Sequence, residues 1–315
     1  MRTRLRRRGL RLGLLGLLVG STMVSLLVGS SAVSSADAAV SKCQAKNLQQ
    51  GTKESPNLQA LINTANPGET IQVKGVCVGN FTTTKSLSLV GKPTKEVPAP
   101  ALDANNSGRP LFVDGQNVST SPVVTVSGLT IRNGQSTGSG AGIALRLATL
   151  TLNDSSVTNN SSTQSVGGGI TVILGTLTLN NSSVTANSAV QGGGIHVNAL
   201  GGVSTVTLND SDVSGNLAGG GSTIRWGGGI ANIGALGVVV LNGSSSVHDN
   251  FAGRFGGGIY NEGTFTMNGS SSVTDNRAGE DGGGIYNDCG GTLNGVTGGG
   301  NVSGNIPNNV FAACP

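Results

Sequence analysis

The stretch Gly167–Asn187, GGGITVILGTLTLNNSSVTAN, decides the fold. Its parts recur in the same order through the rest of the chain. Gly-Gly-Gly-Ile returns at Gly192–Ile195, Gly227–Ile230, Gly256–Ile259 and Gly282–Ile285, with a Gly-Ala-Gly-Ile variant at Gly140–Ile143. The Asn closing the Leu-Thr-Leu-Asn segment falls at Asn153, Asn180, Asn209, Asn242, Asn268 and Asn294. A Val-x-x-Asn element follows each time, from Val157–Asn160 to Val302–Asn305. Apolar residues alternate with Thr in Leu150-Thr151-Leu152, Leu177-Thr178-Leu179, Val206-Thr207-Leu208 and Phe265-Thr266-Met267. That is a strand period, not a helical one. Short strands broken by Gly, Asn and Ser turns at this repeat length describe coils of a solenoid, three segments to a coil. The expected fold is all-β: a right-handed parallel β-helix.

Composition points the same way. The chain holds 53 Gly in 315 residues and is 3% aromatic, too little for an ordinary globular core. In a solenoid each repeat instead buries its face on the next. Asn suits the left-handed corners of such coils and stacks into side-chain ladders, so the Asn columns read as structural.

Working outward, Thr70-Ile71-Gln72-Val73, Leu87–Val90, Leu111-Phe112-Val113 and Val124-Thr125-Val126 read as strands of irregular coils over 70–133. Asn133, 27 residues before Asn160, is placed in phase with the Val-x-x-Asn column. Regular coils then run over 134–305, with a C-terminal cap over 306–315. Residues 39–69 form an N-terminal cap. In it Ser55-Pro56 starts a short helix, with Ser55 as N-cap and Leu58, Leu61 and Ile62 on one face. That helix would shield the open end of the solenoid.

Residues 1–38 have the pattern of a signal peptide: six Arg, an apolar run over Leu12–Val28, then Ala36-Asp37-Ala38. The formal charge of +4 resides there, because the remainder carries 13 basic and 14 acidic residues. A nucleic-acid partner is therefore not expected, nor is a membrane span after cleavage. An exported chain keeps its disulfides, and four cysteines allow three connectivities. Pairing within each end favours Cys43–Cys77 and Cys289–Cys314.

Leu58–Ile71 with Asn66-Pro67-Gly68-Glu69, followed by Gly79-Asn80-Phe81 and Ser86–Gly91, resembles the start of bacterial pectin-lyase-like β-helix proteins. The Gly-Gly-Gly-Ile, Thr-Leu-Asn and Val-x-x-Asn units resemble the repeats of polymorphic outer-membrane adhesins. The resemblance implies a secreted or cell-envelope solenoid, in a group that includes polysaccharide lyases, glycosidases and adhesins. Fold-level likeness does not choose among them.

Chemistry concentrates in the last coils. Aligning Asn250–Thr264 with Asn276–Gly290 pairs Asp249 with Asp275, Arg254 with Glu280, Tyr260 with Tyr286, and Glu262 with Asp288. Glu262 and Asp288 are the candidate catalytic carboxylates of a glycosidase. In a lyase, Arg254 or Arg277 would abstract the proton. Asp249, Asp275 and Asp281 are candidate oxygen ligands for Ca²⁺. Trp226, Tyr260 and Tyr286 are candidates for stacking on sugar rings. His196 shares the Tyr260 column, and His248 stands in another.

The favoured reading is a monomeric, non-catalytic adhesin-like or glycan-binding protein acting on extracellular or cell-wall polysaccharide. The alternative is a lyase or hydrolase of acidic polysaccharide. A third reading, an ice-binding solenoid, follows from the Thr-x-Thr ladder at Thr149/Thr151, Thr176/Thr178, Thr205/Thr207 and Thr264/Thr266, which Val238/Val240 interrupt.

Overall fold

The computed structural model describes residues 42–219, 225–298 and 300–314. The signal peptide expected over 1–38 lies outside them. The described chain is a parallel β-solenoid of about nine turns with one helix. Each regular coil runs through four strands, shown here by Ile143–Arg146, Thr149–Asn153, Ser156–Thr158 and Ser161–Ser162. Stacking the coils builds an Ile sheet of nine strands, a Thr sheet of ten, a Val sheet of nine and a short-strand sheet of six.

The sequence pattern shows three of these sheets. The fourth consists of two-residue strands such as Ser188–Ala189 and Phe251–Ala252, too short to carry an alternation.

Register holds column by column, and every strand pair is parallel except Gln44–Asn47 against Thr70–Lys74. In the Thr sheet, Leu150, Leu177 and Val206 stack inward at full burial while Thr151, Thr178 and Thr207 face out. The inward columns of the Ile, Thr and Val sheets merge into one core from Ala45 to Val302.

The Asn of Val-x-x-Asn is also internal. Asn160, Asn187, Asn216, Asn250 and Asn276 are each about 1% exposed. Each Nδ2 donates to the Oδ1 of the next rung at 2.9–3.1 Å. A buried amide keeps its place only when its donors and acceptors are met, and the stack meets them.

The left-handed residues are not these Asn but their neighbours: Asn159, Ala186, Asp249 and Asp275 precede the ladder with φ of 54–56° or close to it. Asn133 is one of them, at φ 54°. The register pairs Arg132 with Thr158, so Asn133 matches Asn159, and Gly134 instead donates its N–H to Asn160. The expected phase of Asn133 is thus off by one.

One close approach explains the Gly triplets. A Cβ on Gly257 would lie 2.4 Å from the Arg277 carbonyl oxygen of the next coil.

At the N-terminal end the helix spans Leu58–Thr64, with Leu58, Leu61 and Ile62 buried in the solenoid core. Asn57 caps it, its side chain accepting from the Ala60 N–H, whereas Ser55 accepts from the Asn57 N–H. The cap therefore lies two residues later than expected, because the Ser55 backbone is committed to a bridge with Ala45. The helix packs on Gln44–Asn47 and Phe81–Thr83, the first strands of two sheets. The disulfides Cys43–Cys77 and Cys289–Cys314 tie one end each, and no described cysteine is free. Val310–Ala312 of the expected C-terminal cap forms a last strand on Ile285–Asn287.

Candidate functional site

The outer face of the Ile sheet departs from the rest of the solenoid. Strand alternation turns one side chain outward from each Ile-x-x segment. The column runs Phe112, Ala144, Thr171, His196, Ala231, Tyr260, Tyr286 and Phe311. A second column stands just before the Gly triplets, where Trp226 bridges Phe255. Its rings lie over the first column. Trp226 stacks on Tyr260 at 4.7 Å, and Phe255 stacks on Tyr286 at 4.6 Å. Tyr260 stacks on Tyr286 at 5.3 Å and Tyr286 on Phe311 at 5.1 Å, with ring planes within 20°. The coil spacing sets these intervals.

The five rings form one ladder, but they are not equally available. Tyr260 is 2% exposed, with Trp226 and Tyr286 covering its faces and Ala231 and Ile233 around it. It therefore cannot serve as an open sugar platform. Trp226, Phe255, Tyr286 and Phe311 are each half-buried; Tyr286 is the hub, stacked on three of the other rings, whereas Trp226 and Phe311 have one ring partner each. Phe311 escapes sequence reading because Asn308-Asn309 replace the Gly triplet before it. The signal was its position after Val310, as Tyr286 follows Ile285.

The two candidate carboxylates meet at Tyr260. Its hydroxyl donates to Asp288 Oδ2 at 2.5 Å, with Glu262 Oε1 at 3.4 Å from the same oxygen. Those carboxylate oxygens are therefore no farther apart than the sum of the two distances. Each acid is also held from behind: Glu262 Oε2 accepts from the Gly234 N–H, and Asp288 Oδ1 from the Cys289 N–H. Burial, then the Asp288 hydrogen bond and negative charge, raises the Tyr260 hydroxyl far above its ordinary pKa, so it stays a donor. Tyr286 is raised too, first by burial and then by Asp288 and Asp281.

Arg254 forms a two-pronged pair with Glu280 at 2.7 and 3.0 Å and lies 4.6 Å over the Phe255 ring. The Glu280 hydrogen bond raises its pKa, which opposes the role of proton-abstracting base. Arg277 lies in the short-strand sheet, over Phe251, and makes no hydrogen bond or ion pair with Glu262 or Asp288.

The proposed Ca²⁺ ligands are not assembled. Asp249 and Asp275 occupy left-handed corners, where Asp is tolerated for its backbone conformation. Asp249 is hydrogen-bonded to His248, and Asp281 faces Asn308. Among the described residues no three His, Cys, Asp or Glu side chains are grouped to hold a metal.

His196 is 4% exposed, and burial holds its pKa at about 4. His248 lies between Asp212 and Asp249, in a different sheet. Among the described residues no helix is long and apolar enough to cross a membrane. No family model, no curated protein and no solved structure matches the chain.

Proposed function

We propose that the protein is an extracellular or cell-envelope glycan-binding solenoid, and that its outer Ile-sheet face over residues 226–311 is the binding surface. One observation carries this reading: a ladder of half-exposed rings repeats at coil spacing, with fixed carboxylates beside it. Sugar rings offer apolar C–H faces to aromatic planes and hydroxyls to carboxylates. A polymer of sugars repeats as the ladder does.

Charge narrows the class. Glu262, Asp281 and Asp288 border the rings, while Arg254 and Glu280 neutralise each other. An acidic polymer would be repelled, so a neutral or amino-sugar polysaccharide is the expected partner. The two disulfides fit an oxidising compartment.

A second reading, hydrolysis, draws on the close approach of Glu262 and Asp288, which is compatible with the ~5 Å spacing of retaining glycosidases. Against it, the Tyr260 hydroxyl stands between them where substrate would have to enter.

A glycan array with wild-type protein and Tyr286→Ala separates the readings. Binding to intact neutral or amino-sugar chains, weakened at least tenfold by the substitution, supports the first. Release of new reducing or unsaturated ends, lost in Glu262→Gln, would replace it with an enzyme.

A further inference from the structure

The outer face of the Thr sheet carries no aromatic and no charged residue over six consecutive coils. Its outward positions are Val123, Thr125 and Ser127 in the first coil and Thr264 and Thr266 in the last. Between them stand Thr-x-Thr-x-Asn three times and Val-x-Val-x-Asn once. The other long faces are charged. The Val sheet carries the Asp103–Arg132 and Asp212–His248 pairs, and the Ile sheet carries Asp114–Arg146.

The hydroxyls differ as well. On neighbouring faces they satisfy one another from coil to coil, as in Ser183 to Ser156, Thr185 to Thr158 and Ser188 to Ser161. The threonine hydroxyls of the three central Thr-sheet coils, Thr149 to Thr207, hydrogen-bond to no described protein group. The Asn column at the edge is internally bonded, and at the two ends of the face Asn donates to the Ser127 and Thr266 hydroxyls.

In-register stacking makes this face a lattice. Rows repeat at about 4.8 Å between coils and about 6.6 Å between alternate residues, over roughly 24 by 13 Å. Each threonine of the three central coils offers a methyl and a hydroxyl without a described protein partner, and Val238 and Val240 keep the shape while losing the hydroxyl. An irregular globular partner has no such translational repeat; a second copy of this chain does, and the oligomeric state tests for it. The absence of rings and carboxylates makes the face unlike the sugar ladder. Ice does repeat in this way, with rows of oxygen atoms at similar intervals and no net charge.

We infer that the Thr-sheet face binds ice, independently of the glycan surface. The test grows a polycrystalline ice shell in a dilute solution of the disulfide-bonded chain and measures the protein taken into the ice. Enrichment in the ice fraction is expected. Thr178→Lys/Thr207→Lys should reduce it at least tenfold without changing the thermal midpoint, and Tyr286→Ala should leave it intact. Thr178→Tyr, a good strand residue, serves if the lysine variant misfolds. Exclusion of the wild type from ice, equal uptake of wild type and folded variant, or a dimer or a crystalline-cellulose pull-down abolished by the same substitutions would overturn the inference.

Discussion

Replacing Asn250 by Ala tests what holds the coils in register. Asn250 is 1% exposed. Its Oδ1 accepts from the Asn216 N–H at 2.9 Å and from Asn216 Nδ2 at 3.0 Å. Its Nδ2 donates to the Val213 carbonyl and to Asn276 Oδ1. Truncation removes all four. Asn216 Nδ2 keeps its bond to the Val184 carbonyl, and Asn276 Oδ1 keeps the Asn250 N–H. The Asn216 backbone N–H is left buried without an acceptor. An orphaned buried group costs about 1–3 kcal/mol and each ordinary lost bond roughly 0.5–1.5, so the loss should be about 3–5 kcal/mol. For a chain of this size that lowers the thermal midpoint by about 10 °C. Asn268→Ala is the matched control: it removes one bond, to Asn242, on an exposed rung. It should change stability by less than ~0.5 kcal/mol. Urea titration followed by circular dichroism compares the two. Equal effects at both sites would refute the assignment of register to the internal ladder.

Three further predictions concern the frame. His196 has a folded-state pKa of about 4, below its ordinary 6.5, because burial disfavours the cation. The unfolded chain therefore takes up a proton that the folded chain refuses as pH falls from 6.5 to 4. Stability should drop by about 3 kcal/mol across that window and be insensitive to this group above it. His196→Phe, placing the ring that Phe112 already has in this column, should remove that slope in urea melts at pH 7, 5 and 4. Parallel curves would contradict it. Gly257→Ala should destabilise by more than ~3 kcal/mol or prevent folding, since its Cβ meets backbone at 2.4 Å, while Gly298→Ala, with nothing within 4 Å, should be near neutral. Cys43→Ser/Cys77→Ser opens a link of 34 residues and should cost about 3–4 kcal/mol in the chain-entropy account, read as a lower urea midpoint.

Much of the fold is legible in the repeats because each column has one physical job. Leu150, Leu177 and Val206 alternate with Thr, so strand, face and register follow together. The two disulfide pairs were readable for a similar reason, each lying within one end of the chain. The short-strand sheet was not, since two residues such as Ser161–Ser162 carry no period. The helix cap shifted from Ser55 to Asn57 through a long-range backbone bridge that local preference does not encode.

At the site, column alignment brings Tyr260 onto Tyr286 and Arg254 onto Glu280. It does not say which rings end up covered. Tyr260 is sealed by Trp226, which comes from the preceding coil and a different column. Asp249 and Asp275 looked like ligands by composition, yet their positive φ gives them a backbone task.

Trp226 is the only tryptophan in the chain, and it sits half-exposed on the ladder. Its fluorescence during titration with the best neutral or amino-sugar chain from the array is the most direct test of the binding surface. A saturable change in emission, with the dissociation constant found by calorimetry and weakened at least tenfold in Tyr286→Ala, is the predicted result. Calorimetric binding that leaves Trp226 emission unchanged and is indifferent to Tyr286→Ala would place the glycan elsewhere and contradict the account.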